Sequence, residues 1–349
     1  MDINKIKITC PNKGIEEKIK RNWDKVAKPL DGLGVFEKLL ARIGAVNGTE
    51  DIDISKKIVI VMCADNGVVK EGISQSGQEV TVAVTRNLGI HNTSVCKMAE
   101  AVNADILPVD IGINSDEILR GVRCSKVRKG TGNFAKEPAM TEKEALAAID
   151  TGISIVKECK EKGYKLIGTG EMGIGNTTTS SAMAAAFLNK TASFTTGRGA
   201  GLDDRGLAKK ISIIDDAIEK YELRNADTMK ILTSVGGLDI AGLCGVFIGG
   251  AVYHIPVVVD GVISAVAALT AERLCPGTKE YMIPSHKGKE PAAILLMDKL
   301  GLTPVIDAEL ALGEGTGAVM MFSLLDTAMT LYQSGATFDD FKIEQYERK

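Results

Sequence analysis

Residues 165–188 read KLIGTGEMGIGNTTTSSAMAAAFL, and this stretch decides the fold. Leu166 and Ile167 end a short apolar run typical of a strand, glycines and a cluster of hydroxyl side chains follow, and residues 182–188 favour a helix. A strand, a glycine-rich turn and a helix in this order suit an anion, because exposed backbone N–H groups and the helix N-terminus both attract negative charge. The stretch therefore predicts a phosphate-type site on a β–α unit. The alternative is a glycine-rich turn that binds no ligand.

The glycines of this stretch also match a dinucleotide fingerprint, G-x-G-x-x-G, at Gly168, Gly170 and Gly173. That fingerprint predicts an acidic residue about 20 positions further on, which bonds the ribose. Residues 191–196 read TASFTT, and the next acid is Asp203. The missing acid argues against an NAD-type dinucleotide enzyme, which remains an alternative. The P-loop pattern G-x-x-x-x-G-K-[ST] does not occur in the sequence.

Composition excludes several classes of protein. The formal net charge is −3 over 349 residues, so no broad basic surface for nucleic acid or an anionic membrane is expected. The seven cysteines and three histidines are dispersed, which predicts neither a disulfide framework nor a metal site. A reducing cytoplasm is the compartment that this cysteine usage favours. Five basic residues between positions 120 and 129 predict a solvated face.

The N-terminus is polar and charged, so no signal peptide is expected. Residues 240–259 carry no formal charge and are long enough for a membrane span. However, glycines, His254 and Pro256 interrupt this stretch. We therefore predict a buried helix over about 238–250 and a strand over 255–259, and no membrane span.

Strand-like and helical segments alternate along the chain, with further strands expected at 57–63 and 105–111. This alternation predicts a parallel, three-layer α/β sheet with helices on both faces. The N-terminal 55 residues are helical in pattern, and a closing helix is expected from about Val319. These two ends of the chain could pack together as a small second domain.

Several turns place a carboxylate at the end of a strand or among glycines. Asp65 and Asp260 follow predicted strands, at the edge where open α/β sheets bind ligands. Glu171 lies within the anion turn, and Glu314 is flanked by two glycines after an apolar run. Apolar surroundings raise the proton affinity of a carboxylate, which suits a general base. The alternative for Glu171 and Glu314 is a carboxylate that caps a turn.

Several long motifs occur in a fixed order: GEMGIGNTTTSSA, TGRGAGLDD, VGGLDIAG, VVVDG and LGEGTGA, preceded by KPLDGLG, ADNGVVKEGIS and GTGNFAKEPAM. In these motifs the sequence resembles the nicotinate-nucleotide–dimethylbenzimidazole phosphoribosyltransferases, the CobT family. The resemblance extends over roughly residues 20–335.

The resemblance implies a fold and an activity. The fold is a Rossmann-like parallel α/β domain, residues 56–318, with a small helical domain formed by residues 1–55 and about 319–349. The activity moves the phosphoribosyl group of nicotinate mononucleotide to dimethylbenzimidazole or a related base, giving nicotinate and α-ribazole 5′-phosphate for cobalamin assembly. A homodimer that requires no metal or organic cofactor is implied as well. The remaining alternative, a non-catalytic nucleotide-binding protein, gives no reason for Glu314 between two glycines.

The resemblance also implies roles for individual residues. Glu314 is the expected general base, and Glu171 is a second active-site carboxylate. The residues predicted to bind the nucleotide and its phosphate are Gly173, Gly175, Asn176, Thr177, Thr178, Arg198, Gly199, Gly201, Lys210 and Asp260. The residues predicted at the base pocket are Lys70, Gln78, Met172 and Leu312. Lys70 departs from the small residue usual in the family, so it either changes which base is accepted or points to solvent.

Overall fold

A six-stranded parallel sheet forms the centre of the computed structural model, which describes residues 3–199 and 201–348. Its strands in chain order are β1 (Lys57–Ala64), β2 (Ala104–Gly112), β3 (Arg123–Cys124), β4 (Leu166–Met172), β5 (Val257–Val259) and β6 (Met282–Pro284). Their order across the sheet is β3-β2-β1-β4-β5-β6, and every neighbouring pair is parallel. This is the strand order of a doubly wound Rossmann sheet. Successive strands are added towards one edge from β1 to β3 and towards the other edge from β4 to β6, so the strand order reverses between β1 and β4. The predicted α/β class is confirmed.

Helices precede, connect and follow the strands. They are α1 (Lys13–Lys25), α2 (Val35–Asn47), α3 (Glu79–Gly89), α4 (Ser94–Glu100), α5 (Glu142–Glu161), α6 (Asn176–Leu188), α7 (Ala192–Thr195), α8 (Asp204–Lys220), α9 (Thr228–Val235), α10 (Leu238–Tyr253), α11 (Val262–Leu274), α12 (Ala292–Leu300), α13 (Thr316–Ser334) and α14 (Phe338–Phe341). Short 3₁₀ turns lie at Ile3–Lys5, Gly67–Glu71 and Thr278–Tyr281. A capping box formed by Thr141 and Glu144 begins α5.

The central strand β1 is buried on both faces. Ile58, Ile60 and Met62 pack into the core beneath α5, α6, α10 and α11. Val59 and Cys63 point to the opposite face and pack with α1, α2, α4 and α13. Burial on both sides explains why β1 is a continuous apolar run instead of an alternating one.

Several boundaries differ from the sequence predictions. Strand β4 extends to Met172 instead of ending at Ile167, and α13 begins at Thr316 instead of about Val319. Strand β6 was not predicted, because three residues are too few to give a recognisable pattern. Helix α13 packs on α2 and also on β4 and β5. The division into two domains at residue 55 and about residue 319 stays a prediction.

The basic segment 120–129 is only partly the solvated face that we predicted: Arg120 and Lys129 are exposed, but the other three basic residues are half-buried. Arg123 forms an ion pair with Glu158 at 2.6 Å, and Lys126 forms one with Asp110 at 3.1 Å. Arg128 likewise pairs with a carboxylate of α5. These carboxylates lie far along the chain or on β2, so a local charge count could not reveal them. The segment is held against the sheet and α5 by these pairs.

The uncharged stretch 240–259 folds as predicted, as most of α10 followed by β5. Helix α10 is buried along almost its whole length, and its hydrophobic surface is covered by other parts of the chain. Among the helices that the structure describes, none combines the length and apolar character of a membrane span.

Helices α5 and α10 approach closely at glycines, and this contact predicts a stability effect. A Cβ added at Gly245 would overlap the carbonyl oxygen of Ile149. Alanine gains about 1 kcal/mol of helix propensity over glycine, but we expect the overlap to dominate and Gly245→Ala to lower the free energy of unfolding by about 1–3 kcal/mol. Urea unfolding measures the change. Ser154→Ala, on the exposed side of α5, is the control, and its free energy of unfolding should stay within about 0.5 kcal/mol of the wild type. An effect of Gly245→Ala as small as that of Ser154→Ala would contradict the close contact.

Candidate active site

A cavity of about 260 Å³ opens at the carboxyl ends of β4, β5 and β6. Its walls come from the loops that follow these strands, the start of α6 and of α11, and the turn that precedes α13. Twelve of the predicted site residues line it: Glu171, Met172, Gly173, Gly175, Asn176, Thr177, Arg198, Gly199, Lys210, Asp260, Leu312 and Glu314. Segments that are distant in the sequence therefore meet at the edge where parallel sheets bind ligands.

Four predicted residues lie outside the cavity lining. Lys70 is exposed on the 3₁₀ turn Gly67–Glu71, and Gln78 is half-buried before α3. Thr178 is buried in α6, and its hydroxyl has no hydrogen-bond partner among the described residues. Gly201 is exposed, with its carbonyl accepting a hydrogen bond from the side chain of Gln75. Its neighbour in the predicted turn, residue 200, lies outside the described residues.

One end of the cavity is suited to an anion. Helix α6 begins immediately after Gly175, whose φ of 92° requires the left-handed region that glycine tolerates. The buried Lys210 of α8 donates hydrogen bonds to the Thr177 hydroxyl at 2.9 Å and to the Gly197 carbonyl at 3.3 Å. Burial lowers the pKa of Lys210 to about 8, and the nearby Glu290 carboxylate opposes this shift. A helix N-terminus and a buried ammonium group thus face the same space.

Glu290 was not predicted, and it already occupies part of this anion site. Its Oε1 accepts a hydrogen bond from the Gly199 N–H at 3.2 Å. Glu290 follows β6 in the chain, so its approach to the Gly199 turn depends on the tertiary fold. The contact indicates that this turn can hold an anionic oxygen.

Two of the three glycines of the dinucleotide-type fingerprint do not lie in a ligand-binding turn. Gly168 and Gly170 lie within β4 itself. A Cβ at Gly170 would overlap the backbone carbonyl of Glu314, and one at Gly168 would lie 3.0 Å from Cβ of Ala318. These glycines are needed because the start of α13 rests directly on β4. The fingerprint reflects this packing, which removes its support for a dinucleotide enzyme.

The turn at residues 313–315, called the Glu314 turn below, has an unusual backbone. Gly313, Glu314 and Gly315 have φ values of 82°, 61° and 92°. Asp260, at the end of β5, holds the turn: its carboxylate accepts the N–H of Gly315 at 3.2 Å and the N–H of Ala318 at 3.1 Å. Both oxygens of Asp260 are therefore engaged by the start of α13. This position gives Asp260 a structural task, while the nucleotide contact that we predicted for it stays a prediction.

The Glu314 carboxyl lies against the start of α4. Burial raises its pKa above the ordinary value, while the Thr93 hydroxyl and the Val95 N–H oppose the shift. Its Oε2 atom is buried and has no hydrogen-bond partner among the described residues. A carboxyl with raised proton affinity and an unused oxygen has the properties of a general base.

A second group of carboxyls lies at the end of β4. The Asn176 side-chain amide donates to Oε2 of Glu171 and, at 3.0 Å, to Oδ2 of Asp239. Burial and the neighbouring Asp239 raise the pKa of Glu171 to about 8, although the Asn176 hydrogen bond opposes the shift. Burial also raises the pKa of Asp239 to about 6. Glu171 therefore holds a proton at neutral pH when no cation lies beside it.

Sequence reasoning missed Asp239, Ser264, His286 and Glu290 as site residues. Asp239 lies in the quoted motif VGGLDIAG, and His286 follows the unpredicted strand β6. Recognising β6 would have placed His286 at the ligand-binding edge. Within the described residues, no group of three or more His, Cys, Asp or Glu side chains is arranged to hold a metal ion.

Comparisons with known proteins agree on one family. A family model described as phosphoribosyltransferase matches residues 8–343. The nicotinate-nucleotide–dimethylbenzimidazole phosphoribosyltransferase of Acetivibrio thermocellus is 46% identical over 329 residues, which cover 94% of each chain. The protein of the same name from Ruminiclostridium cellulolyticum is 44% identical, covering 95% of this chain and 94% of its own. The crystal structure of CobT from Thermus thermophilus superposes with a TM-score of 0.90 at 31% identity, covering 95% of this chain and all of that one.

The raised pKa of Glu171 predicts a pH dependence of stability. The pKa is about 8 in the folded protein and 4.5 ordinarily, so the folded chain keeps a proton that the unfolded chain releases between these values. The free energy of unfolding should therefore fall as pH rises through this window, and Glu171→Gln should remove that component. Urea unfolding of both proteins at several pH values measures it. We expect the free energy of unfolding of the Gln variant to increase relative to that of the wild type as pH rises. A difference between the two proteins that does not change with pH would refute the raised pKa of Glu171.

Proposed function

The chain belongs to the nicotinate-nucleotide–dimethylbenzimidazole phosphoribosyltransferase family, and we propose that it transfers the phosphoribosyl group of nicotinate mononucleotide to a benzimidazole-type base. The products are nicotinate and α-ribazole 5′-phosphate, the nucleotide used in cobalamin assembly. The observation that carries the proposal is the presence in one cavity of an anion site and of Glu314, a carboxyl with raised proton affinity.

We assign the 5′-phosphate to the start of α6. Lys210 supplies a positive charge there, and the Thr177 hydroxyl lies 2.9 Å from its Nζ atom. The Gly199 N–H provides a further donor once the phosphate displaces the Glu290 carboxylate. Binding energy from the phosphate, which does not react, can then hold C1′ of the ribose in place for the chemical step.

The departure of nicotinate needs no acid. In nicotinate mononucleotide the ring nitrogen is a pyridinium, so the ring leaves with a neutral nitrogen. The positive pyridinium close to Glu171 and Asp239 lowers the pKa of these carboxyls, so the proton on Glu171 is released when the substrate binds. The ionised carboxylates then face the ribose as it acquires the positive charge of an oxocarbenium-like transition state.

The incoming base must lose a proton, and Glu314 is the group that we assign to accept it. A benzimidazole attacks C1′ through one nitrogen and carries its N–H on the other. Loss of that proton leaves a neutral product, so a single general base is sufficient. Attack from the face opposite to nicotinate converts the β-glycoside into an α-glycoside in one step.

The base itself is expected to lie between Met172 and Leu312, which contribute apolar surface to the cavity. Gln78 lies outside the lining, where its side chain is hydrogen-bonded to the Asn66 carbonyl and to the side-chain amide of Asn114. Lys70 is exposed and also outside the lining. Its position supports the alternative that Lys70 points to solvent and does not select the base.

We further propose that the protein acts as a cytoplasmic homodimer. Leu312, Met320 and Leu324 are apolar but between 37% and 54% exposed, near the start of α13. A second copy of the chain would remove this surface from water. The seven cysteines are all unpaired, which suits a reducing compartment.

The proposed base assignment predicts a selective loss of turnover. We expect Glu314→Gln to lower kcat by a factor of about 10²–10⁴, because the amide cannot accept the proton of the base. The affinity for nicotinate mononucleotide should equal that of the wild type, because Glu314 does not contact the phosphate end of the cavity. Chromatography of released nicotinate gives kcat, and calorimetry gives the affinity.

Glu309→Gln is the matched control, because Glu309 is exposed in the same segment and lies outside the cavity lining. Its kcat should equal that of the wild type. Near-normal turnover in Glu314→Gln, or an equal loss in both variants, would exclude Glu314 as the base.

A further inference from the structure

The turn at residues 173–175, which leads into α6, packs directly on the end of β1 and the 3₁₀ turn that follows it. A Cβ added at Gly173 would lie 2.3 Å from the Ala64 carbonyl oxygen, and one at Gly175 would lie 2.6 Å from a methyl carbon of Val69. Only residues without a side chain fit at these two positions. Because α6 begins at the next residue, the position of the 173–175 turn determines where the N-terminus of this helix lies.

Ile174, in the middle of the turn, has both of its backbone polar groups engaged by buried side chains. Its N–H donates to the Thr81 hydroxyl at 3.1 Å, and its carbonyl accepts from the Asn66 side-chain amide at 3.5 Å. Thr81 lies in the first turn of α3 and is fully buried, and Asn66 is 1% exposed. Neither side chain lines the cavity. The turn is thus held by groups that lie outside the ligand space.

The Thr81 hydroxyl also faces Asp65. Burial raises the pKa of Asp65, while the Asn114 N–H and the Thr81 hydroxyl oppose the shift. A hydroxyl group carries one hydrogen and can accept a hydrogen bond as well. Since the Thr81 oxygen accepts the Ile174 N–H, its hydrogen is available to the Asp65 carboxyl. A chain of contacts therefore runs from the end of β1 through α3 to the 173–175 turn.

Asn66 connects the same turn to α6. Its Oδ1 atom accepts a hydrogen bond at 3.2 Å from the hydroxyl of Thr179, which is 1% exposed in the first turn of α6. One buried side chain thus contacts both the 173–175 turn and the helix that follows it. A buried polar group that loses its partner is left unsatisfied, which is unfavourable. The contacts of Thr81 and Asn66 therefore oppose any displacement of the turn.

We propose that Thr81 and Asn66 are positioning residues for the phosphate group of the substrate and act through the backbone of Ile174. This inference rests on the proposed function, in which the 5′-phosphate binds at the start of α6. Thr81 fixes the Ile174 peptide and, through it, the geometry of the phosphate end of the cavity. A small displacement of a binding group costs a large factor in rate, even when the substituted residue is far from the reacting atoms.

Thr81→Val tests the proposal, because valine keeps the shape of threonine and removes the hydroxyl. The Ile174 N–H loses its partner, so the turn is no longer held in its native position. We expect KM for nicotinate mononucleotide to rise about tenfold or more, with KM for dimethylbenzimidazole unchanged. Calorimetry without the base should show the same loss of affinity for the mononucleotide. Thr81→Ser, which keeps the hydroxyl, should restore both values.

Thr85→Val is the matched control. Thr85 lies one turn further along α3, is also fully buried, and donates its hydroxyl to the Thr81 carbonyl at 2.7 Å. Within the part of the chain that the structure describes, its side chain makes no hydrogen bond to the 173–175 turn. Both Val variants lose a buried hydrogen bond, so both should unfold at lower urea concentration than the wild type. Only Thr81→Val should lose affinity for the mononucleotide.

Nicotinate riboside, which lacks the phosphate, identifies the part of the substrate that is affected. The wild type and Thr81→Val should not differ in their calorimetric affinity for the riboside. A loss of affinity that persists with the riboside would contradict a role in positioning the phosphate. A rise in KM for dimethylbenzimidazole as well would also contradict it, because that result indicates a general distortion of the cavity.

Unchanged affinity for the mononucleotide in Thr81→Val, or an equal loss in both Val variants, would overturn the proposal. If Thr81→Val does not fold by circular dichroism, Asn66→Ala replaces it: the same selective loss is expected, and wild-type affinity would refute the proposal. Failure of the transferase function has a different signature. In that case the wild type releases no nicotinate with any base, while the mononucleotide still binds more weakly to Thr81→Val than to Thr85→Val.

Discussion

The site depends on the packing contact between the Glu314 turn and β4. Gly170 has no Cβ, and only for that reason can the backbone of Glu314 lie directly on the strand. The Asp260 carboxylate then fixes the turn through the N–H groups of Gly315 and Ala318. One helix and two neighbouring strands are joined in this way. A carboxyl on a backbone with positive φ is thereby held at the edge of the sheet, against the start of α4.

Charge is divided within the cavity in a way that matches the proposed reaction. Glu171 lines the cavity, and Asp239 is bonded to the same Asn176 amide; we propose that these two acids compensate the positive charge of the substrate and of the transition state. Positive potential lies towards the start of α6, where the 5′-phosphate is expected. The raised pKa of the buried carboxyls means that the protein by itself avoids much of the repulsion between them. The full negative charge appears only when a cationic substrate compensates it.

The sequence predicted local features well and long-range ones poorly. The start of α6 and the carboxylates at strand ends followed from strand, turn and helix patterns, while the resemblance added Lys210. The network of Glu171, Asn176 and Asp239 was missed, because Asn176 and Asp239 lie 63 positions apart and meet only through the crossover of the sheet. Strand β6 was too short to recognise, so His286 was missed as well. The glycines of β4 were assigned to a loop, because the helix that packs on them comes about 150 residues later in the sequence.

The most direct test of the account follows the fate of the ribose in a single incubation. The purified protein is mixed with nicotinate mononucleotide, with and without dimethylbenzimidazole; chromatography quantifies nicotinate, and NMR assigns the anomer of the product. The account predicts that nicotinate is released only when the base is present and that the new nucleotide is α-linked. Release without the base, a β-linked product, or no release with any of a panel of bases would contradict it.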